Sequence, residues 1–202
     1  MIFNDAFIRA VKTPDAPRSQ RWHMIARKLP TRIVEYPDPR LRQRCAAVKV
    51  FDERLAALAD RMLELMRERH GVGLAGPQVG ACHRLFVCNP TGEPADDHIY
   101  VNPELSDLTH PVEAEEGCLS IPEVRVVIRR AGSCRIKAVN LKGEPIEEQA
   151  EILLARIWQH ETDHLNGRLI IDAMNPTDKI ATKKQLATLE ERFKREAKTS
   201  RR

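Results

Sequence analysis

The chain has 202 residues, a formal net charge of +4 and 42% hydrophobic residues. So many apolar side chains with so small a net charge exclude an intrinsically disordered chain. The apolar runs are far shorter than the roughly 20 residues that a membrane-spanning helix needs, so no membrane association is expected. Five cysteines at irregular spacing favour free thiols in a reducing cytoplasm over a disulfide framework.

Residues 1–28 are predicted to form a flexible N-terminal extension. They contain scattered Arg and Pro residues and show no clean helical or strand period. They also lack the basic start and apolar stretch of a secretory signal. An organelle transit peptide is a less favoured alternative, because Asp5 and Asp15 oppose it. A start of translation at Met24 is a second alternative.

Strands and helices are predicted from about residue 32 onwards. A short strand and a Pro-rich turn follow Arg32, and apolar spacings of three and four predict a helix over Asp52–His70 with Asp52 as its N-cap. Two further helices are predicted over about Ala150–Asn166 and Asp178–Lys198. Turn residues separate the later extended segments, which are Arg84–Cys88, Ile99–Asn102, Val124–Arg130, Ser133–Leu141 and Pro145–Glu148.

This order of elements predicts an α+β fold, because the strand–helix–strand rhythm of a parallel sheet is missing. We expect short antiparallel sheets packed around a central helix, with one more helix at the C-terminus. Residues 29–177 would form a single domain, and residues 178–202 a basic C-terminal helix or tail.

The strongest motif is H-E-x-x-H at 160–164, on the second predicted helix. Residues four apart lie on the same helix face, so His160 and His164 can bind one metal ion. Glu161 would be within reach of a water molecule on that ion and would take its proton. Two satisfied core histidines on an apolar helix are the alternative.

A catalytic site of this type needs a third protein ligand. No histidine follows His164, and Glu190 and Glu191 belong to a charged helix. Upstream, Cys118 is a candidate because a thiolate is a strong metal ligand. A general zinc peptidase with a downstream ligand remains a rival interpretation. The other four cysteines are expected to be small buried residues.

The segment Gly71–Gln78 matches G-x-G-x-x-G literally. A dinucleotide-binding loop would follow a strand and open a helix, whereas this segment follows a helix and contains Pro77. No dinucleotide is therefore expected. The glycines instead predict a tight loop that a ligand can approach closely, with Gln78 as an amide donor.

Together these three segments resemble the peptide deformylase family. Its GxGLAAPQ loop, EGCLS segment and QHExDHLxG helix correspond, in the same order, to GVGLAGPQ at 71–78, EGCLS at 116–120 and QHETDHLNG at 159–167. The resemblance extends over about Ile33–Pro176. It implies a catalytic domain at 29–177 that hydrolyses the formyl group from the formyl-methionine of nascent polypeptides and releases formate.

The resemblance also implies a metal centre. The ion would be Fe²⁺, with Zn²⁺, Ni²⁺ or Co²⁺ as alternatives in the purified protein, and its ligands would be Cys118, His160 and His164. Glu161 would be the general base and then the acid, in an attack by metal-bound hydroxide on the formyl carbon. The Gln78 amide and the Leu119 backbone N–H would stabilise the oxyanion.

The substrate-binding residues implied by the resemblance surround these groups. Gly73 would pair with an extended peptide, and Arg125 would help to hold it. The remaining positions would shape the pocket for the methionine side chain or flank the thiolate, and they are Val72, Ala114, Glu116, Gly117, Leu153 and Arg156.

Two residues depart from the family pattern. Gly76 replaces the usual second Ala of the loop, which adds backbone freedom. Arg156 stands where bacterial members commonly have an aliphatic residue. Its aliphatic part is expected to line the methionine pocket, with the charge turned outward.

The C-terminal segment suggests a partner. Residues 178–202 contain nine Lys or Arg and four acidic residues. Such a helix would bind RNA phosphates, so contact with the ribosome is expected, as in other members of this family. A solvated helix face is the alternative. A non-catalytic ribosome-associated protein is the alternative function, but the complete set of site residues opposes it.

Overall fold

The computed structural model describes residues 29–199. The predicted extension over 1–28, with its transit-peptide and Met24 alternatives, and the final residues 200–202 lie outside the described residues. Three α-helices and one five-stranded sheet form the described part of the chain. None of the helices within residues 29–199 combines the length and the apolar character that crossing a bilayer requires.

The first helix, α1, spans Glu53–Glu68 and confirms the helix expected after Asp52. The Asp52 side chain accepts hydrogen bonds from the backbone N–H groups of Arg54 and Leu55, which caps the helix. The apolar face of α1 is buried against β1 (Gly73–Ala75) and β2 (Leu85–Cys88).

The sheet contains β1, β2, β3 (His98–Cys118), β4 (Ile121–Val139) and β5 (Pro145–Glu151) in chain order, and every neighbouring pair is antiparallel. The expected α+β class is confirmed, with one sheet where several short ones were predicted. Two elements differ from the sequence-based prediction in extent. The strand expected over Ile99–Asn102 continues to Cys118, and the two strands expected on either side of Gly132 are one strand.

A strand predicted after Arg32 is wrong. Ile33 and Val34 are buried in an extended segment that belongs to no strand. The backbone N–H of Val34 donates to the Gln78 carbonyl (2.7 Å), and that of Tyr36 donates to the Ser120 carbonyl (2.8 Å). This segment therefore stabilises, through hydrogen bonds to their backbones, the two segments that contain Gln78 and Ser120.

The second helix, α2, spans Ile152–Leu165 and packs against all five strands, so the expected central helix is present. Its fully buried Trp158 packs edge-on against Tyr100, with ring centroids 5.4 Å apart. In the H-E-x-x-H motif of this helix, the side chains of His160, Glu161 and His164 face the sheet.

The third helix, α3, spans Pro176–Thr199 and packs against β4. Leu189 is buried in the core, and the Asp178 side chain accepts a hydrogen bond from the Val127 backbone N–H (3.0 Å). Tyr36 donates to Glu190 (2.8 Å), and Arg192 pairs with Glu35. The basic C-terminal segment is thus part of the packed structure.

Candidate metal and substrate site

Three side chains from two elements converge where β3 ends against α2. Cys118 is the last residue of β3, and His160 and His164 lie one turn apart on α2. The Cys118 Sγ is 3.2 Å from His164 Nε2, and the two histidine Nε2 atoms are 3.3 Å apart. The ligand atoms of these three residues all lie within 4.8 Å of one another.

This donor set fits a tetrahedral metal ion. Nitrogen and sulfur ligands about 2.1 and 2.3 Å from such an ion lie roughly 3.4–3.6 Å from each other, which is close to the separations found here. By ligand type, two imidazoles and one thiolate suit zinc. Among residues 29–199 this is the one cluster of three or more His, Cys, Asp or Glu side chains with metal-binding spacing.

The far nitrogen of His160 binds a buried carboxylate. His160 Nδ1 lies 3.0 Å from Glu116 Oε2, and Arg130 holds the same carboxylate through two hydrogen bonds of 2.6 and 3.1 Å. Burial alone would raise the pKa of Glu116, but the hydrogen bonds of His160 and Arg130 outweigh it and lower the pKa to about 2. Glu116 is therefore ionised. Because its carboxylate binds His160 Nδ1, the other ring nitrogen, Nε2, points toward the ligand cluster.

Glu161 lies next to the ligands and faces the cleft. Its side chain is buried, its Oε2 has no hydrogen-bond partner, and burial raises the pKa of its carboxyl to about 7. A Cβ atom on Gly73 would collide with the Glu161 carboxylate. The glycine thus leaves room for a carboxylate whose pKa suits proton exchange near neutral pH.

The loop at 71–79 holds Gln78 rigidly. β1 is followed by a short 3-10 helix over Gly76–Val79, so part of the predicted loop has regular structure. Gln78 Oε1 accepts from the Ala75 N–H (2.7 Å), and Nε2 donates to Ser120 Oγ (3.2 Å). Nε2 also lies 3.6 Å from Cys118 Sγ, so an oriented amide donor stands beside the cluster.

The structure gives a steric explanation for the glycine at position 76, which the sequence alone did not provide. A Cβ at this position would lie 2.5 Å from the Ala81 carbonyl oxygen and 2.7 Å from that of His83. The chain after the 3-10 helix therefore passes too close to admit the family's usual alanine. Close packing of this loop therefore requires a residue without a Cβ at position 76. The greater backbone freedom of glycine is not the only reason for its presence.

A cleft of approximately 630 Å³ opens over the cluster. Most of the predicted site residues line it, namely Val72, Gly73, Gln78, Glu116, Gly117, Cys118, Leu119, Arg125, Leu153, Arg156, His160 and Glu161. His164 is buried behind this wall. Ala114 is half-buried opposite Ile128 on β4 and does not line the cleft.

Several residues of the site were missed from the sequence. The cleft is also lined by Arg69, His70 and the segment 121–124, and Arg130 and Ser120 support the groups within it. Ser120 belongs to the EGCLS segment, so the motif itself offered a signal for it. Nothing in the local sequence marks Arg130, because it reaches Glu116 from the neighbouring strand, β4.

The expected outward orientation of the Arg156 charge is wrong. Its guanidinium is turned into the protein, where Nη1 donates to Glu116 Oε1 (2.7 Å). Arg125, by contrast, is exposed and loosely paired with Glu115 at 3.7 Å. Two of the arginines that line the cleft therefore have different environments, since Arg156 is fixed and Arg125 is free to meet a ligand.

Comparison with known proteins identifies the family. A family model described as Polypeptide deformylase matches residues 30–180. Peptide deformylase from Thermotoga maritima is 43% identical over 165 residues, which is 81% of this chain and 99% of the relative. The chain belongs to the polypeptide deformylase family. The expected family and its enzyme class, a hydrolase, are thereby confirmed.

Other family members agree with this assignment in sequence and in fold. Peptide deformylase 1B, chloroplastic/mitochondrial, from Arabidopsis thaliana is 39% identical over 167 residues, covering 81% of this chain and 61% of the relative. A crystal structure of peptide deformylase from Plasmodium falciparum superposes with a TM-score of 0.79 at 34% identity, covering 81% of this chain and 97% of that one. The family's α+β fold and its three motif segments are thus present together in this chain.

Proposed function

We propose that this chain hydrolyses the N-formyl group of the N-terminal formyl-methionine of nascent polypeptides and releases formate. The observation that carries the proposal is the convergence of Cys118, His160 and His164 with Glu161 and Gln78 at one cleft, in a chain of the deformylase family. The same set supports an enzyme over a non-catalytic binding protein, because three candidate metal ligands, a buried carboxylate for proton transfer and an amide donor meet at one cleft.

Cys118, His160 and His164 would hold the metal, for which we propose Fe²⁺, with Zn²⁺, Ni²⁺ or Co²⁺ as further occupants of the purified protein. When bound, the ion supplies Lewis acidity, which makes water a stronger nucleophile at neutral pH and polarises a carbonyl group. The thiolate of Cys118 adds negative charge to the site and makes it sensitive to oxidation. Anaerobic purification is therefore part of any test.

The side chains around the cluster would carry out the proton transfers. Glu161, with its raised pKa and unpartnered oxygen, would take a proton from the attacking water and later give it to the leaving amine. The Gln78 amide and the Leu119 backbone N–H would donate hydrogen bonds to the oxyanion. Each such donor is worth about 3–4 kcal/mol of barrier in comparable sites.

The edge of the sheet would bind the peptide. The position of β1 at the edge of the sheet supports the proposal that the Gly73 backbone pairs with an extended substrate. Arg125, which lines the same cleft, would help to hold the peptide. We propose that the methionine pocket involves Val72, Leu153 and Arg156, with Glu116 and Gly117 in the surrounding wall, whereas Ala114 lies outside the cleft.

Release of formate from formyl-Met-Ala-Ser tests this function directly. The anaerobically purified, Fe²⁺-loaded protein is expected to release stoichiometric formate and to leave the unformylated peptide untouched. Metal content is measured on the same sample. A folded, metal-loaded protein that releases no formate would reject the enzyme and favour the non-catalytic binding protein.

We also propose that α3 contacts the ribosome. Six basic side chains of this helix are exposed, namely Lys179, Lys183, Lys184, Lys194, Arg195 and Lys198. Such a surface gains affinity from RNA phosphates, and that affinity falls as salt rises. Deletion of residues 178–202 would also remove the buried Leu189, so charge substitutions are the cleaner test.

Replacing Lys183, Lys184 and Arg195 with Gln is expected to weaken ribosome binding at least about 10-fold at low salt. With each phosphate contact that is lost, fewer counterions are released on binding, and this release favours the complex. Hydrolysis of formyl-Met-Ala-Ser should not change. Co-sedimentation with ribosomes at several salt concentrations measures the effect, and a triple substitution of Glu93, Glu113 and Glu144 to Gln is the control for surface charge. Unchanged binding by the basic-residue variant would contradict the proposal.

The organisation of the chain and its location remain proposals. We propose a catalytic domain over 29–177, an N-terminal extension over 1–28 and the basic helix or tail over 178–202, in a cytoplasmic protein. Import into an organelle is the less favoured alternative. The Arabidopsis relative is named as chloroplastic/mitochondrial, which supports this alternative.

A further inference from the structure

The Arg156 guanidinium is fixed by three hydrogen bonds at the wall of the cleft. Nη1 donates to Glu116 Oε1 (2.7 Å) and to the Ile128 carbonyl (3.1 Å), and Nη2 donates to the Val112 carbonyl (2.8 Å). Its side chain is only 14% exposed. These bonds join α2 to β3 and β4, which a residue that only shapes an apolar pocket would not need.

The acceptor of the shortest of these bonds is the carboxylate that binds His160. Glu116 Oε1 receives hydrogen bonds from both Arg130 and Arg156, while Oε2 meets His160 Nδ1 and the second nitrogen of Arg130. The carboxylate is buried, so every one of its contacts affects where it lies. Without Arg156, Oε1 would keep a single partner, and the carboxylate would be free to pivot about Arg130.

We propose that Arg156 is a positioning residue for the metal centre. Acting through Glu116, it holds the His160 ring so that Nε2 faces Cys118 and His164. This inference rests on the proposed role of His160 as a metal ligand. Carboxylates that bind the far nitrogen of a ligating histidine fix its tautomer and orientation, and their loss costs 10–100-fold in metal affinity or activity. Arg156 thereby has a task that an aliphatic residue at this position cannot perform.

A double-mutant cycle on the full chain tests the proposal. Arg156→Met keeps the length of the side chain and removes the hydrogen bonds, and we expect it to weaken Co²⁺ binding about 10-fold, the lower end of the range because Arg130 still holds Glu116. In a Glu116→Gln background the same substitution should change Co²⁺ affinity less than about 2-fold, because the shared partner is already lost. Affinity is measured by chelator competition, and the visible absorption of bound Co²⁺ reports ligand geometry.

Two further variants distinguish positioning from simple structural damage. Arg156→Lys restores a cation within reach of Glu116 and should recover most of the Co²⁺ affinity. Arg135→Met is the matched control, since Arg135 is a half-exposed arginine that also pairs with two acids, Asp107 and Glu147. It should leave affinity and spectrum unchanged. If Arg156→Met does not fold, as judged by circular dichroism of the metal-free protein, Arg156→Gln, alone and with Glu116→Gln, supplies the cycle.

Different results would overturn the positioning role of Arg156 and the proposed metal site. Equal losses from Arg156→Met in both backgrounds would overturn the action through Glu116. A raised KM with unchanged Co²⁺ affinity and spectrum would make Arg156 a pocket residue only, and would overturn it as well. Wild-type protein that binds Co²⁺ no better than a His160→Ala variant would instead reject the metal site of the proposed function.

Discussion

Replacing Glu161 with Gln is expected to lower the kcat for formate release by at least about 100-fold. General acid–base catalysis by a positioned side chain contributes roughly 10²–10⁴-fold, and the Gln amide cannot accept and return a proton. The substitution preserves the size of the side chain that fits against Gly73, so neither the fold nor the ligand cluster should be disturbed. Metal content, formate release and peptide binding measured on one preparation check this outcome.

The control for this variant is Glu151→Gln. Glu151 is exposed and directly precedes the same helix, but it makes no capping hydrogen bond with its side chain. It should have wild-type kcat. A Glu161→Gln protein that keeps its metal and retains kcat within a few-fold would show that another group transfers the proton, without affecting the family assignment.

The parts of the site that follow from local geometry could be predicted from the sequence. His160 and His164 are four residues apart, and the helix that joins them was evident from its apolar stripe and the glycine after it, so their shared face followed directly. The placement of Cys118 and Gln78 beside them needed the resemblance, because β3 and the loop at 71–79 approach α2 only in the folded chain.

The parts that depend on packing between distant segments could not be predicted. Glu116 is 14 residues from Arg130 and 40 from Arg156, and no local pattern indicates that both arginines meet its carboxylate. An arginine on a cleft-lining helix ordinarily keeps its charge in water. Here a buried carboxylate and two backbone carbonyl groups accept hydrogen bonds from the guanidinium, which turns inward.

The length of β3 and β4 was also hidden from the sequence. β3 is mostly exposed after Glu104, so apolar alternation is absent, and shifts in its register with β4 at Val101/Glu104 and Ser106/Thr109 interrupt the pattern further. Gly132 looked like a turn, but it lies within β4, where a Cβ would be 2.6 Å from the His110 carbonyl oxygen. The glycine permits the close approach of β3 to β4 at this position.

Replacing Cys118 with Ser is expected to abolish stable metal binding, with a loss of affinity of at least about 100-fold. Loss of a carboxylate that only orients a ligand already costs up to that much, and here the thiolate ligand itself is removed. A serine hydroxyl stays protonated at neutral pH and is a poor ligand for soft or borderline metals. Formate release should fall with the metal content, and both are measured after dialysis against a chelator.

The same substitution separates the deformylase centre from a general zinc peptidase, in which the third ligand would lie downstream and Cys118 would be dispensable. The geometry already opposes that rival, because the downstream Glu190, on α3, accepts a hydrogen bond from Tyr36 and does not belong to the ligand cluster. Cys82→Ser is the control, since Cys82 is a half-buried thiol that lies beside Cys45 and not at the cleft. It should keep full metal content and activity. If Cys118→Ser kept both as well, the ligand set would be wrong and the peptidase-type arrangement would have to be reconsidered.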